Sequence, residues 1–525
     1  MRTLPPAWDR LLRLSILVLA SLGFLAWSTY YQRDLGAFGC DPFGYARQAE
    51  IFRHEGIFSG VDTQVRDLEA LELVGVAEQL FSNSDLWSEA VAPHCHHFNK
   101  LSNKIVLQYP PGTGLLLSFF PEEIALSSTF AVGAILIVFV FLVFGFWQEP
   151  SWQSVILSTL FFCLLGWTLS RAEAFSSASI PLSISLTPLT VALSMVAFSG
   201  PRQPTNNMAA VFLGFVGGLL LSIRLPNALL LVGLAVQILI TMQLWHFSNF
   251  KKSFPALLIG LASFLATTSF FVLRSNLVNA GGIFETTYSP IDASLPVLKF
   301  DQLLQATSYY FADTFASPFL IFACALGVYR LVTLKDHLTN DRFLGASAGC
   351  GVALLASIVF FVTHSIKIPY YLLPASVFAA SVVVLDTLIG KKREQKVPRV
   401  FVFSAVAAAV FVVARIFLLS PYTPVVTLPQ EVLSRRAIVW SDLSSGTILY
   451  YLGKFGSKIV FAPADVQDAL VDRVHNIGRT QYIVVDSAAM QSVLSRLMLN
   501  YNFKDVGMFN SPFGAFPVWK LTGRK

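Results

Sequence analysis

The sequence predicts a mostly α-helical protein that crosses a membrane about eleven times and ends in a small α/β domain on the outer side. Three observations carry that expectation. Of the 525 residues, 54% are hydrophobic and only 13% are charged, against roughly 25% charged in an ordinary soluble domain. A mean hydropathy of +0.62 leaves more apolar surface than a water-soluble fold can hide. The apolar residues are also gathered into runs of span length, since the ~30 Å hydrocarbon layer takes about 20 apolar residues per helix. Finally, Lys and Arg fall in alternate links between these runs, as the excess of positive charge on cytoplasmic loops requires. The net charge of +6 is therefore read as orienting the chain in its membrane lipids, and no nucleic-acid partner is expected.

Arg2, Arg10 and Arg13 precede a first apolar run from Leu14 to Tyr31. That run is long and lacks a small-residue cleavage site, so it is read as an uncleaved span with the amino terminus in the cytoplasm. Residues 32–111 then form a first exoplasmic loop, closed by the short apolar helix GTGLLLSFF and a break at Pro121. A second span covers 124–147. Spans at 152–169 and 177–198 flank the outer link SRAEAF with Arg171. Spans at 208–223 and 226–245 flank Arg224-Leu225-Pro226-Asn227, and HFSNFKKS returns inside with Lys251 and Lys252.

A span at 254–273 leads to a second outer loop, 274–312, and a span at 314–333 leads back to KDHLTNDR. Spans at 343–362 and 369–389 flank His364-Ser365-Ile366-Lys367. The densest basic cluster, KKREQKVPR, precedes the last span at 400–419. The multispanning domain is thus 1–419, and 420–525 is an exoplasmic tail. In that tail AIVW, KIVFA, QYIVVD and FPVWKL read as strands, while GTILYYLGKF, DVQDALVDRVHN and AAMQSVLSRLMLN read as helices. About 100 residues suffice for a core. No Gly-rich phosphate loop is present, so the tail is expected to cover the site or to recognise an acceptor.

The chemistry points to the first loop. Asp41 stands about ten residues past the first span, and the following PFGYARQAEIF reads as a helix lying along the membrane interface. A carboxylate there can take the proton from an acceptor hydroxyl or amine as it attacks a sugar carbon. With a phosphate leaving group one carboxylate suffices for a single inverting displacement, whereas sugar–sugar hydrolysis uses two. The alternative is that Asp41 caps the helix after it.

Taken together, Asp41, YPPGTGLLLSFF at 109–120, IRLPNALLL at 223–231 and IKIPYYLLPAS at 366–376 resemble the C-type (GT-C) membrane glycosyltransferases. The nearest branch is that of protein O-mannosyltransferases and lipid A aminoarabinose transferases. The resemblance extends to the tail through SDLSSGTILYYLGK. It implies a polyprenyl-phosphate-linked sugar as donor, an aspartate of the first outer loop as catalytic residue, and a bacterial inner membrane with the tail in the periplasm. The matching aspartate is Asp41. Such proteins often carry an acidic pair here, whereas Pro42 follows Asp41, which leaves Glu50 as a candidate second carboxylate. The acceptor stays open among glycolipid, polysaccharide and protein.

A donor phosphate needs positive charge at the outer surface. Lys367 with Tyr370 is the preferred pair, and Arg224, Arg171 and Tyr109 are further donor-binding candidates; each cation has the alternative of snorkelling to lipid headgroups. His94 and His96, within His94-Cys95-His96-His97, are the candidate ligands should a divalent metal ion bind, and no other cofactor is called for. Cys40 and Cys95 are the only cysteines on the oxidising side and are candidates for a disulfide. The competing class is a polytopic transporter or flippase of a lipid-linked or small-molecule substrate. Such a protein carries mid-membrane charges and internal repeats, neither of which is evident.

Overall fold

The structure is a computed structural model, and it describes residues 6–31, 40–56, 96–99, 101–102, 104–147, 152, 177–198, 204–244, 247–288, 299–311, 328, 342–364, 369–375, 377–378, 381, 427, 429–433, 437–441, 458–461, 468–511 and 514–525. It is mostly helical and divides into two units. One comprises Met1–Arg33, Ser127–Val272 and Pro290–Pro421, and the other Asp34–Leu126, Leu273–Ser289 and Tyr422–Lys525.

The first unit is a helix bundle. It contains α1 (Pro6–Tyr31), most of α4 (Glu122–Trp147), then α5 (Ser179–Ala197), α6 (Pro204–Ile223), α7 (Ala228–Met242), α8 (Phe247–Thr268), α10 (Phe300–Phe311) and α11 (Arg342–Thr363). Among the described residues five helical runs are long and apolar enough to cross a membrane: Glu122–Phe139, Ser179–Ala197, Leu225–Met242, Ser248–Ala280 and Leu344–Thr363. Asn207–Ile223 is a shorter apolar helix. The expected spans at 152–169, 314–333 and 400–419 lie outside the described residues apart from Trp152 and Val328, and the one at 369–389 is described only in part.

Between apolar helices in lipid, packing rests on close approach of backbones rather than on a hydrophobic drive. The α6–α8 and α7–α11 contacts use glycine in that way. A methyl at Gly214 of α6 would strike the Gly260 carbonyl of α8, and one at Gly233 of α7 would strike the Gly349 carbonyl of α11. The most enclosed helix is α5, whose hydroxyls turn back on their own helix: Ser183 Oγ donates to Ser179 O, Thr187 Oγ1 to Ser183 O and Thr190 Oγ1 to Leu186 O. Buried hydroxyls are thereby satisfied without water.

One boundary differs from expectation. The span placed at 254–273 begins at Phe247 and runs on through a π-helical turn, Ser269–Leu273, into α9 (Arg274–Ala280). Nothing interrupts the helix until Gly281, whose φ of 83° is the left-handed cap that glycine supplies without strain. The helix therefore ends about two turns later than the expected boundary at 273.

The second unit carries α2 (Cys40–Glu55), a hairpin of β1 (His96–Asn99) and β2 (Lys104–Leu107), α3 (Pro111–Ser118), α9, and the C-terminal sheet. The sheet has the order β4-β3-β5-β7-β6, from β3 (Ala437–Ser441), β4 (Lys458–Phe461), β5 (Thr480–Val484), β6 (Tyr501–Ser511) and β7 (Gly514–Arg524). Strands β4, β3 and β5 are parallel, while β7 joins β5 antiparallel and β6 closes as a hairpin on β7. Strand β6 was not anticipated from the sequence.

Alternation along β3 and β5 sorts the core into two faces. Ile438, Trp440 and Ile483 face α12 (Asp468–Asn476) and α13 (Ala488–Leu497), packing with Leu470, Val474 and Leu494. On the opposite face Val439, Tyr482, Val484, Phe509 and Val518 share a core cluster with Phe43 of α2. The helix expected to lie along the membrane interface is instead enclosed by protein: from Pro42 to Ala49 every residue is buried. An interfacial helix keeps a wet face, and here even Gln48, 1% exposed, has none.

Candidate active site in the first loop

Helix α2 presents Asp41, Gly44, Tyr45 and Gln48 at spacings of three, four and seven residues, which places them on one face. That face meets Tyr109. The Tyr109 hydroxyl donates to Asp41 Oδ1 at 2.7 Å, its ring lies 4.6 Å from that of Tyr45, and its carbonyl accepts from Gln48 Nε2 at 3.3 Å. Gln108 Nε2 in turn donates to the Tyr109 hydroxyl at 3.3 Å. Gly44 is required because a methyl there would run into the Tyr109 ring.

The YPPG segment sets the tyrosine. Pro110 is extended, with φ −60° and ψ 153°, and Pro111 opens α3, where its missing N–H is no loss. Tyr109 is thus held at the mouth of a short helix whose Gly114 lies against the Gln48 side chain. At the far end of α2, Arg53 Nη2 donates to Leu117 O at 3.2 Å, a cation at the carbonyl end of α3. Asp41 itself lies in the first turn of α2, the end of a helix that favours negative charge.

Glu50 does not stand beside Asp41. Nine residues of helix separate them, about 13 Å of rise, and Glu50 instead meets Arg47 at 3.4 Å. Burial pushes the Glu50 carboxyl above its ordinary range against the pull of Arg47, and Glu122 adds to the rise.

In the helix bundle Arg224 occupies the break between α6 and α7. The chain leaves α6 extended at Arg224 and makes one 3-10 turn, Leu225–Asn227. Asn227 Nδ2 closes it by donating to Ser183 Oγ at 3.0 Å and Leu220 O at 2.9 Å. Arg224 is 5% exposed. Its guanidinium lies 4.9 Å from the Tyr371 ring centre and 5.7 Å from that of Phe361, and His364 stacks edge-on to Tyr371 at 5.8 Å. The segments IRLPN and PYYL are therefore brought together, with Tyr371 against the arginine. Phe361 and His364, one turn apart on α11 and its exit, carried no sign of this role in the sequence beyond their spacing.

Of the other candidates, Lys367, Arg171, His94 and Cys95 lie outside the described residues. For Cys40, His96 and Tyr370 only the backbone is described. His96 pairs with Leu107 in the β1–β2 register, two residues before Tyr109. Among the described residues no three His, Cys, Asp or Glu side chains gather to hold a metal ion. Cys350 is buried in α11, as its apolar run requires. No family model matches the chain, and no curated protein matches it.

Proposed function

We propose that the chain is an inverting membrane glycosyltransferase of the C-type fold, taking a sugar from a polyprenyl-phosphate-linked donor at the outer face of a bacterial inner membrane. The observation that carries this reading is the Asp41 carboxylate bonded to the tyrosine of YPPG. Asp41 is the general base. The acceptor oxygen or nitrogen bonds to the anomeric carbon as the bond from that carbon to the lipid phosphate oxygen breaks, and the acceptor proton passes to Asp41. Tyr109 fixes the carboxylate's rotamer, so its lone pairs are aimed before substrate arrives. Arg224, desolvated between Tyr371 and Phe361, is a donor-phosphate contact, the planar guanidinium being suited to phosphate oxygens. The full set of about eleven spans belongs to this reading.

The break at Arg224 favours one other reading, a transporter or flippase, because discontinuous helices and buried charge mark such sites. The test is transfer of radiolabelled sugar from polyprenyl-phosphate donors in membranes holding wild type or Asp41→Asn, with amount and folding of each checked. Loss of transfer in the variant alone supports the base. Equal transfer in both removes Asp41 from the chemistry. Absence of transfer in both, with donor moved across proteoliposomes, replaces the enzyme reading by the transporter.

A further inference from the structure

The bonds around Tyr109 tie α2 to the segment Tyr109–Ser118 through Asp41, Gln48 and Arg53. A different side chain ties α2 to the C-terminal sheet. Phe43 leaves the helix about 200° round from Asp41, two residues along a 3.6-residue turn. Its ring is 2% exposed and is built into the cluster with Val439, Tyr482, Val484, Phe509 and Val518. The helix that holds Asp41 is thus gripped on two sides, by the YPPG segment and by the tail.

Resting on the reading of Asp41 as base, we propose that Phe43 is a positioning residue, through which the C-terminal sheet sets where the Asp41 carboxylate stands. A general base works only within hydrogen-bond reach of its proton, and a displacement of about 1 Å costs on the order of a hundredfold in rate. Most helical stability in proteins comes from packing of a face, not from propensity. Without the ring, α2 keeps its bonds to Tyr109 and Leu117 but is free to shift with them as one body. The tail is then part of the machinery for chemistry, beyond any role as cover or in acceptor recognition.

The test uses full-length protein in lipid nanodiscs, as wild type, Phe43→Leu, Phe43→Ala and Val484→Ala. Two readouts are taken: hydrogen exchange of the α2 amides, and sugar transfer resolved into kcat and donor KM. The expected result is α2 exchange faster by about tenfold or more in both alanine variants. Phe43→Leu stays near wild type, because leucine refills most of the cavity. The kcat falls in the same order while donor KM changes by less than about twofold. Unchanged α2 exchange in both alanine variants overturns the proposal, as does wild-type kcat in Phe43→Ala. Should Phe43→Ala not fold, Val484→Ala loosens the same contact from the sheet side and decides. If even wild type transfers no sugar, the glycosyltransferase reading fails, and the exchange readout still decides whether the sheet holds α2.

Discussion

The Tyr109 hydroxyl donates to Asp41 Oδ1 at 2.7 Å, across 68 residues of sequence. A carboxylate and a phenol so placed act as one unit, and removing either leaves the other misdirected. Tyr109→Phe keeps the ring against Tyr45 and deletes only the donor. Expected are a loss of roughly 1 to 2 kcal/mol in stability, as for a partly buried hydrogen bond to a charged group, and a fall in transfer of about tenfold. Asp41→Asn, which keeps the shape and loses the proposed base, should abolish transfer. Wild-type transfer by Tyr109→Phe would show that the hydroxyl does not orient the base.

Gly44→Ala forces a methyl into the Tyr109 ring. Overpacking of this kind costs about 1 to 3 kcal/mol, so the variant should unfold at lower temperature and lose transfer together. Gly23→Ala is the contrasting change. Nothing lies within 4 Å of the new methyl, and alanine is the better helix residue by about 0.5 to 1 kcal/mol. Its Tm should hold or rise, and its transfer should equal that of wild type.

At the α6–α7 break, Arg224→Lys is not conservative. The guanidinium lies over Tyr371 and beside Phe361, and a desolvated cation–π contact is worth about 2 kcal/mol. Lysine keeps the charge without the planar face. Expected are a lower Tm and a donor KM raised by about tenfold, with Tyr371→Phe near wild type and Tyr371→Leu resembling Arg224→Lys. A donor KM unmoved in all three would remove this cluster from the donor site.

Glu50 gives the chain a pH dependence of stability. Burial raises its folded-state pKa above the ordinary value of 4.5, so between 4.5 and the raised value the folded state holds the proton that the unfolded state has released. Stability contributed by Glu50 is therefore full below 4.5 and is lost as pH rises toward and through the folded pKa. Glu50→Gln should flatten that decline and unfold at higher temperature than wild type at neutral pH. Parallel curves of Tm against pH for the two proteins would contradict the assignment.

What the sequence disclosed and what it withheld divide along a physical line. Apolar runs and their boundaries are local properties, so α5, α7 and α11 lie where hydropathy puts them. Strands β3 and β5 and helix α13 likewise follow from short-range alternation and periodicity. Strand β6 escaped because Lys504, Asp505, Gly507 and Asn510 make it polar, and its pairing is imposed by β7 through a hairpin with two register shifts. PFGYARQAEIF looked interfacial because amphipathicity alone does not tell lipid from a protein partner. Asp41 was singled out by its position, whereas Tyr109 was read as a donor-binding candidate and not as the partner of Asp41. Arg224 was placed at a span end, whereas Tyr371 became its neighbour only through the fold; on paper the preferred pair is Lys367 with Tyr370. Contacts such as Phe43 with Val484 join segments that no window along the chain contains.

The same sheet also says something about the order in which the protein comes into being. Phe43 emerges from the ribosome early, whereas Phe509 and Val518, which complete the cluster around it, are made after the whole helix bundle. Until they are made this phenylalanine lacks its contacts with the sheet, and contacts of such long sequence separation form slowly. The maturation of α2 is thus a late event that follows membrane insertion, and in a pulse-labelling experiment the site should become protease-resistant only after β7 has been synthesised.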